Sequence, residues 1–228
     1  MNKKRIGLLF LIFLFFIVVF FSPIFKISSI QITGNKILSK DEVADTFKDF
    51  IGKNILFISD KDLDNLLESN KYIASYKLDK DYPSSLIIEI EEEKYLAYYV
   101  IGNKTYFVNS GLDILKNDDR LLNGKIPEII GLSNKAEEID SLRDDKKLSD
   151  LISSLKDKDI INKVKIIDIS NSYDIRLATN DDIIIYFGSS ENLSKKINNL
   201  AKIIKKIDMS KTQSIDFRGK DATIKIKK

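Results

Sequence analysis

The 228-residue chain contains no cysteine and no histidine. Without cysteine no disulfide framework can hold the fold, so its stability must come from packing. Without histidine the chain lacks the commonest general acid–base, every Ser-His triad and every His-ligated metal site. An enzyme built from this sequence would depend on Asp, Glu, Lys, Ser or Tyr. These absences argue against catalysis, and we expect no cofactor and no metal.

A strong charge of one sign is also missing. The 37 Lys and Arg residues against 34 Asp and Glu residues give a net charge of +3, and both signs are interspersed along the chain. A nucleic-acid-binding protein would show a basic face with interleaved aromatic side chains. The pattern is typical of a solvated surface, and we expect no nucleic-acid partner.

One long apolar run, Ile6–Phe25, holds no charged residue and no amide up to Phe21. About twenty helical residues match the roughly 30 Å hydrocarbon core of a bilayer. A signal peptide has a shorter core, usually about 7–15 residues, and small residues at its cleavage site, whereas Phe, Ile and Lys surround Ser22–Pro23. A buried core helix would not be apolar on all faces at the N-terminus. We therefore predict an uncleaved transmembrane helix over residues 6–25.

The basic residues Lys3, Lys4 and Arg5 precede this run directly, while Lys26 is the only basic residue close behind it. The positive-inside rule then predicts a cytoplasmic tail, residues 1–5, and an extracytoplasmic location for the rest. No later apolar run is long enough to cross back. We predict a single-pass protein of the cell membrane, with about 200 residues outside for one large or two small domains.

The first part of the exported chain predicts the order strand, helix, helix, strand, strand. Ile30 and Ile32 alternate with polar residues, and a capping box, Ser39-Lys-Asp-Glu42, predicts the start of the first helix. Five elements in about 70 residues predict both helices on one face of a three-stranded sheet. The apolar residues expected on the buried helix faces are Val43, Phe47, Phe50 and Ile51, then Leu63, Leu66 and Leu67.

The two strands that follow are predicted at Tyr72–Leu78 and Leu86–Glu91, with residues 79–84 as the loop between them. In the second of these strands the isoleucines at 88 and 90 should face the core, and the glutamates at 89 and 91 the solvent.

The rest of the chain predicts a mixed sheet with helices packed against it, separate from the first unit. Apolar residues at helical spacing lie within residues 141–159, and a second amphipathic helix begins near Glu191. The expected core residues of these helices are Leu148, Leu151, Ile152 and Leu155, then Leu193, Ile197, Leu200, Ala201 and Ile204. The predicted strands are Lys163–Ile169, Asp174–Ala178, Ile183–Phe187, Ser214–Arg218 and Ala222–Lys227.

Short motifs follow one another in a fixed order over nearly the whole chain. The first part contains Ile-x-Ile-x-Gly34-Asn35 and the hairpin Tyr82-Pro83-Ser-Ser-Leu86-Ile-Ile-Glu-Ile-Glu91. The later motifs are Tyr106–Leu115, Lys125–Leu132, Ile185–Gly188 with the helix after it, and Asp216-Phe217-Arg218. This set resembles the FtsQ/DivIB family of cell-division proteins, in which Asp usually stands at the position of Asn109, and its first part is similar to an FtsQ-type POTRA domain. The resemblance implies an α+β protein with a POTRA domain, residues 26–94, and a C-terminal β domain, residues 95–228, that ends in an edge strand.

The resemblance also implies a function. FtsQ/DivIB proteins are non-enzymatic scaffolds at the division septum and are needed for septum formation. The implied partners are FtsL-like and FtsB/DivIC-like single-pass coiled-coil division proteins, bound through their extracytoplasmic segments. In the family the main binding surface is the edge strand at the C-terminal end of the second domain, to which the partner adds a β-strand with a helix beside it.

The matching segment of this chain is Ala222–Lys228. We expect Ile224 and Ile226 to face the core and the residues that alternate with them to face the solvent. At a sheet edge, unpaired N–H and C=O groups can template an incoming strand, and the lysines would favour an acidic partner segment. The candidate partner-binding residues are Arg218, Lys220, Thr223, Ile224, Lys225, Ile226 and Lys227.

Two alternatives for these residues stay open. Lysines on an edge strand also guard against aggregation, and Arg218 could equally form a salt bridge within the domain. The aromatic contacts that the family has near this strand are not evident here, where Gly219 and Lys227 stand instead.

Other functions fit the sequence less well. An extracytoplasmic hydrolase with a Ser-Lys pair would need a nucleophile motif such as G-x-S-x-G, which is absent. An outer-membrane translocation protein would need repeated POTRA units and a long run of barrel strands, which do not fit in this length. A membrane-anchored POTRA-type binding module outside the divisome is the main alternative.

Overall fold

The computed structural model describes residues 3–67, 70–116, 118–123, 126–133, 140–156 and 160–227. Lys125, Lys228 and residues 157–159 belong to segments predicted above and lie outside the described residues, as do residues 1 and 2 of the predicted tail. The chain forms two compact units, Met1–Glu93 and Lys94–Lys228.

The first unit contains the predicted order of strand, helix, helix, strand and strand after an N-terminal helix. Its elements are α1 Lys3–Phe21, β1 Ser29–Thr33, α2 Lys40–Phe47, α3 Asp60–Leu67, β2 Ile73–Asp81 and β3 Ser85–Glu92. Short 3-10 turns span Pro23–Phe25, Lys48–Phe50 and Ile55–Phe57.

The apolar side chains described in α1 from Ile6 to Val18 are exposed. Among the described residues, no helix combines the length and the apolar character that crossing a membrane requires.

The sheet of the first unit has the strand order β1-β3-β2, with β1 parallel and β2 antiparallel to β3. As predicted, β3 buries Ile88 and Ile90 and exposes Glu89 and Glu91. Residues of both helices share one core with this face of β3, so the helices cover one side of the sheet. The core residues contributed by α2, α3 and β3 are Val43, Phe47, Leu63, Leu67, Leu86, Ile88 and Ile90.

The capping box begins α2 as predicted. The Glu42 N–H donates to Ser39 Oγ at 3.2 Å, and the Ser39 N–H donates to Glu42 Oε2 at 2.8 Å. The prediction that Ile51 lies on the buried face is wrong, because its side chain is 50% exposed. The α-helix ends at Phe47 and a 3-10 turn follows, so Ile51 no longer keeps the helical spacing.

Strand β2 is longer than predicted. Asp79, Lys80 and Asp81 were expected in a loop, but they pair with Ile87, Leu86 and Ser85 of β3. Polar residues can continue β2 because alternate side chains of this strand face solvent, and the connection shortens to residues 82–84.

Two motif glycines occupy positions that exclude a side chain. Gly34 has φ +89° and Gly131 has φ +91°, in the left-handed region that favours glycine. A Cβ on Gly34 would overlap the carbonyl oxygen of Ile90, and one on Gly131 would overlap the backbone of Ser170.

Among the described residues, the second unit forms a nine-stranded mixed sheet and two α-helices. Its strands are β4 Tyr95–Ile101, β5 Lys104–Asn109, β6 Ile114–Lys116, β7 Glu128–Ile130, β8 Val164–Asp168, β9 Ile175–Thr179, β10 Ile184–Gly188, β11 Thr212–Asp216 and β12 Thr223–Ile226. Its helices are α4 Lys146–Lys156 and α5 Leu193–Ile204. The strand order is β12-β11-β10-β9-β8-β7-β4-β5-β6.

Both helices bury the faces that their spacing predicts, except that Ala201 and Ile204 are only half-buried. The hydroxyl oxygens of Ser154 in α4 and Ser194 in α5 lie 2.7 Å apart, so the two helices are neighbours. The fully or nearly buried helix residues are Leu148, Leu151, Ile152, Leu155, Leu193, Ile197 and Leu200.

Asn109 shapes the turn between β5 and β6. Its Oδ1 accepts hydrogen bonds from the N–H groups of Gly111 at 2.9 Å and Asp113 at 2.8 Å. A carboxylate oxygen could accept the same bonds, so the exchange of the usual Asp for Asn leaves the turn intact.

Candidate partner-binding edge

Strand β12 lies at the edge of the nine-stranded sheet, the position that the binding prediction requires. Among the described strands it has β11 as its single neighbour. The two strands are antiparallel, with Ile224 opposite Ile215 and Thr223 opposite Asp216. A bulge between Thr212 and Ser214 interrupts the register near the end of β12.

Two hydrogen bonds establish which residues of β12 turn their backbone N–H and C=O groups away from β11. The Lys227 N–H donates to the carbonyl of Lys211 at 2.8 Å, which directs Lys227 toward β11. The N–H of Phe217, directly after β11, donates to the carbonyl of Tyr186 in β10, also at 2.8 Å. The backbone groups of β11 therefore point alternately toward β10 and toward β12. Because N–H and C=O groups alternate in direction along a strand, Ile224 and Ile226 turn theirs away from β11.

These two isoleucines lie on the core face of the sheet, as predicted, but their side chains are exposed. Ile224 is 39% exposed and Ile226 is 64% exposed. Residues opposite each other in an antiparallel pair share a face of the sheet, and Ile215, opposite Ile224, is fully buried. The isoleucines therefore face the core side, but an outermost strand has a neighbour on one side only, and the described residues leave them uncovered.

The other candidate residues in and directly after this strand, Thr223, Lys225 and Lys227, are exposed, as predicted. Lys220 is also exposed, in the connection from β11 to β12. The fold thus brings four of the candidates together on β12, places Lys227 directly after it, and places Arg218 and Lys220 just before it.

Arg218 forms a salt bridge within the domain. Its Nη2 lies 2.6 Å and its Nε 3.0 Å from Asp216 Oδ2, and its backbone N–H donates to Asp216 Oδ1 at 2.9 Å. The guanidinium carbon lies 4.5 Å from the centre of the Tyr186 ring, within range of a cation–π interaction. The side chain is still 49% exposed, so part of it faces the solvent.

A second arginine reaches the same ring from β9. The Arg176 guanidinium carbon lies 5.5 Å from the ring centre of Tyr186, and its Nε donates to Asp174 Oδ2 at 2.8 Å. That oxygen is also 3.9 Å from Arg218 Nη1. We call Asp174, Arg176, Tyr186, Asp216 and Arg218 the arginine cluster. Sequence spacing predicts contact only between Asp216 and Arg218. The other members of the cluster come together because their strands are neighbours in the sheet.

The hydrogen bonds of Arg218 lower the pKa of the Asp216 carboxyl below its usual range. The arginine cluster is close to electrically neutral, with two arginines and two aspartates. Within the described ranges, no set of three or more acidic side chains is arranged to hold a metal ion. The chemistry that this edge offers is backbone pairing, apolar contact and positive charge.

Comparison with known proteins identifies the class to which the two units belong. The family model for the FtsQ-type POTRA domain matches residues 25–93, and the one for the C-terminal part of cell division protein FtsQ/DivIB matches residues 97–218. The chain belongs to the FtsQ/DivIB family of cell division proteins, which confirms the resemblance found in the sequence.

The relatives span nearly the whole chain. Cell division protein DivIB of Clostridium botulinum is 27% identical over 223 residues, which cover 93% of this chain and 87% of that protein. Cell division protein FtsQ of Corynebacterium glutamicum is 22% identical over 214 residues, 90% of this chain and 93% of that protein. The major extracytoplasmic domain of DivIB from Geobacillus stearothermophilus covers 52% of this chain and 99% of its own at 9% identity, but its TM-score of 0.34 adds nothing to the assignment.

The lowered pKa of Asp216 predicts a pH-dependent effect of Asp216→Asn. A carboxyl whose folded pKa is depressed stabilises the fold above its unfolded value, about 3.9, and loses that contribution as the pH falls through the folded value. The variant should melt at a lower temperature than the unchanged protein at pH 7, and the difference should vanish under strongly acidic conditions. Asp221→Asn, in the same connection and exposed, is the matched control. Equal melting temperatures of all three proteins at pH 7 would contradict the role of this pair.

Proposed function

We propose that this protein is a non-enzymatic scaffold of the division machinery and acts at the septum. Its C-terminal β domain binds the extracytoplasmic segments of FtsL-like and FtsB/DivIC-like coiled-coil division proteins. Membership of the FtsQ/DivIB family supports a role in division. The observation that carries the binding mode is the open edge of β12, where Ile224 and Ile226 turn their backbone groups away from β11 and leave their side chains exposed.

An added strand fits the chemistry of this edge. Its backbone groups pair with the outward N–H and C=O groups of β12, and its apolar residues at a period of two cover Ile224 and Ile226. On the other face, acidic residues of the partner would meet Lys225 and Lys227. Exposed charges of this kind mainly raise the association rate and fix the register, so the backbone ladder and the isoleucines supply most of the affinity.

Arg218 contributes less to the proposed binding surface. Its hydrogen bonds to Asp216 occupy much of the guanidinium fork, so we assign it chiefly to the connection that leads into β12. Its exposed fraction leaves room for one further contact with an acidic side chain of the partner.

Replacing Ile224 with proline tests the added strand directly. Proline removes the outward N–H and is tolerated on edge strands, where that group bonds to no other strand. Ile224→Ala is the matched control, because it removes the same apolar side chain and keeps the N–H. With an extracytoplasmic FtsB/DivIC-like segment as the partner, we expect Ile224→Pro to bind at least about tenfold more weakly, roughly 1.4 kcal/mol, and Ile224→Ala to lose less.

Calorimetry or surface plasmon resonance measures the affinities, and circular dichroism verifies that both variants fold. Equal losses for the two variants would mean that the contact is made by the side chain and not by a strand. Undiminished binding of Ile224→Pro would show that β12 is not part of the interface.

We further propose that the protein is held in the cell membrane by the apolar run Ile6–Phe25, which extends beyond α1. The exposed apolar side chains of α1 support this, since water is a poor environment for so large an apolar surface. The basic residues before the run favour a cytoplasmic position for residues 1–5. Both domains, residues 26–94 and 95–228, then lie outside the cytoplasm.

Protease added to intact protoplasts tests this orientation. We expect digestion of both domains without lysis, while a cytoplasmic marker protein stays intact. Protection of both domains until the protoplasts are lysed would reverse the proposed topology.

A further inference from the structure

Outside α1, the first unit exposes large apolar side chains at one end. Among its described residues these are Ile24, Ile51, Leu56, Phe57 and Tyr82, with exposed fractions of 64%, 50%, 38%, 56% and 57%. We call this surface the apolar end. Such side chains are normal when scattered singly, whereas a group of them marks a contact surface.

Hydrogen bonds join the three chain segments that carry these side chains. The first segment leads from α1 to β1, and the second leads from α2 to α3. The third consists of the end of β2 and its connection to β3. The bonds are Ile27 N–H to Lys53 O at 2.9 Å, Gly52 N–H to Ile27 O at 2.8 Å, Ser28 N–H to Ser84 O at 2.9 Å and Lys80 Nζ to Ile58 O at 2.5 Å. The five apolar residues each lie within three residues of one of these bonded positions, which places them at the same end of the sheet.

The opposite end of the unit is polar. Strands β1 and β3 start together at the apolar end, with Ser29 opposite Ser85, and run parallel away from it to Thr33 and Glu92. There the Glu92 carboxylate accepts hydrogen bonds of 2.8–3.0 Å from the N–H groups of Lys36, Ile37 and Leu38. Among the described residues of the first unit, the large exposed apolar side chains outside α1 all belong to the other end.

The apolar end is also the end through which the chain arrives from α1. Four residues separate Phe21, the last residue of α1, from Lys26, which pairs with Asn54. Five extended residue steps span at most about 18 Å, and the 3-10 turn Pro23–Phe25 shortens this distance. If the apolar run lies in the bilayer, this end of the unit must therefore be close to the membrane surface.

We propose that the apolar end of the first unit is a membrane-contacting surface that lies among the lipid headgroups. This proposal rests on the membrane anchor proposed above and adds a second contact with the bilayer. Tyr82 suits the interfacial region, where aromatic rings with a polar tip are enriched. Lys26 and Lys53 are exposed beside it and can extend their charge toward headgroups. Asp49 and Asp81 lie near the same end, so the attraction is mainly apolar and should not require anionic lipid.

Single tryptophan variants of the full chain test this surface, because the chain contains no tryptophan. Phe57→Trp reports on the apolar end and Phe13→Trp on α1. Lys36→Trp reports on the polar end of the same unit and is the matched control. Each variant is reconstituted in phosphatidylcholine vesicles whose acyl chains carry bromine near the headgroups, and its fluorescence is compared with that in unbrominated vesicles.

We expect brominated lipid to lower the emission of Phe57→Trp and Phe13→Trp by about half or more, and that of Lys36→Trp little, as interfacial and inserted side chains require. Leu56→Trp should behave like Phe57→Trp and guards against a local folding defect in one variant. Circular dichroism establishes that the variants are folded.

The outcomes separate the two proposals. Quenching of Phe13→Trp without quenching of Phe57→Trp or Leu56→Trp would leave the anchor in place and overturn the membrane-contacting surface. An unquenched Phe13→Trp would overturn the anchor, and the surface with it. If Phe57→Trp is shielded from acrylamide but not quenched by brominated lipid, the apolar end contacts protein, which also overturns the proposal.

Discussion

A strand at the edge of a sheet can satisfy only half of its backbone hydrogen bonds within the sheet, and the second unit leaves β12 in that position. Water can bond to the remaining groups, but an extended segment of another protein can do so as well. The proposed binding of a partner strand to β12 depends on that constraint. The exposed isoleucines add to it, because a strand that pairs with β12 would also cover Ile224 and Ile226 on the core side of the sheet.

The connection that leads into β12 is held by the ion pair of Arg218 and by Phe217, which is buried in the core and stacks on Phe187. Arg218 bonds to Asp216 and lies over Tyr186, while Arg176 reaches the same ring from strand β9. Three adjacent strands, β9, β10 and β11, contribute to this arginine cluster or lead directly into it. In the proposed binding mode, an edge strand that starts from a fixed position would lose less conformational entropy when a partner strand pairs with it.

Local patterns predicted much of the fold. The capping box at Ser39, the alternation around Ile88 and the helical spacing of Leu148 to Leu155 each describe a residue's immediate environment, and each was confirmed. The predictions failed where the environment depends on distant elements. Ile51 lost the helical spacing after a 3-10 turn, and the spacing of Ile224 and Ile226 predicted the face of the sheet on which they lie but not their exposure, which follows from the single neighbour of β12. The arginine cluster could not be predicted for the same reason, because its residues come together only through the order of the strands in the sheet.

Amide hydrogen exchange of β12, measured by nuclear magnetic resonance, tests whether a partner adds a strand at this edge. An added strand should protect the amides of Ile224 and Ile226, which point away from β11, when an extracytoplasmic FtsB/DivIC-like segment binds. The amides of Thr223 and Lys225, which face β11, should change much less. Binding that leaves Ile224 and Ile226 exchanging as in the unbound protein would contradict strand addition at this edge.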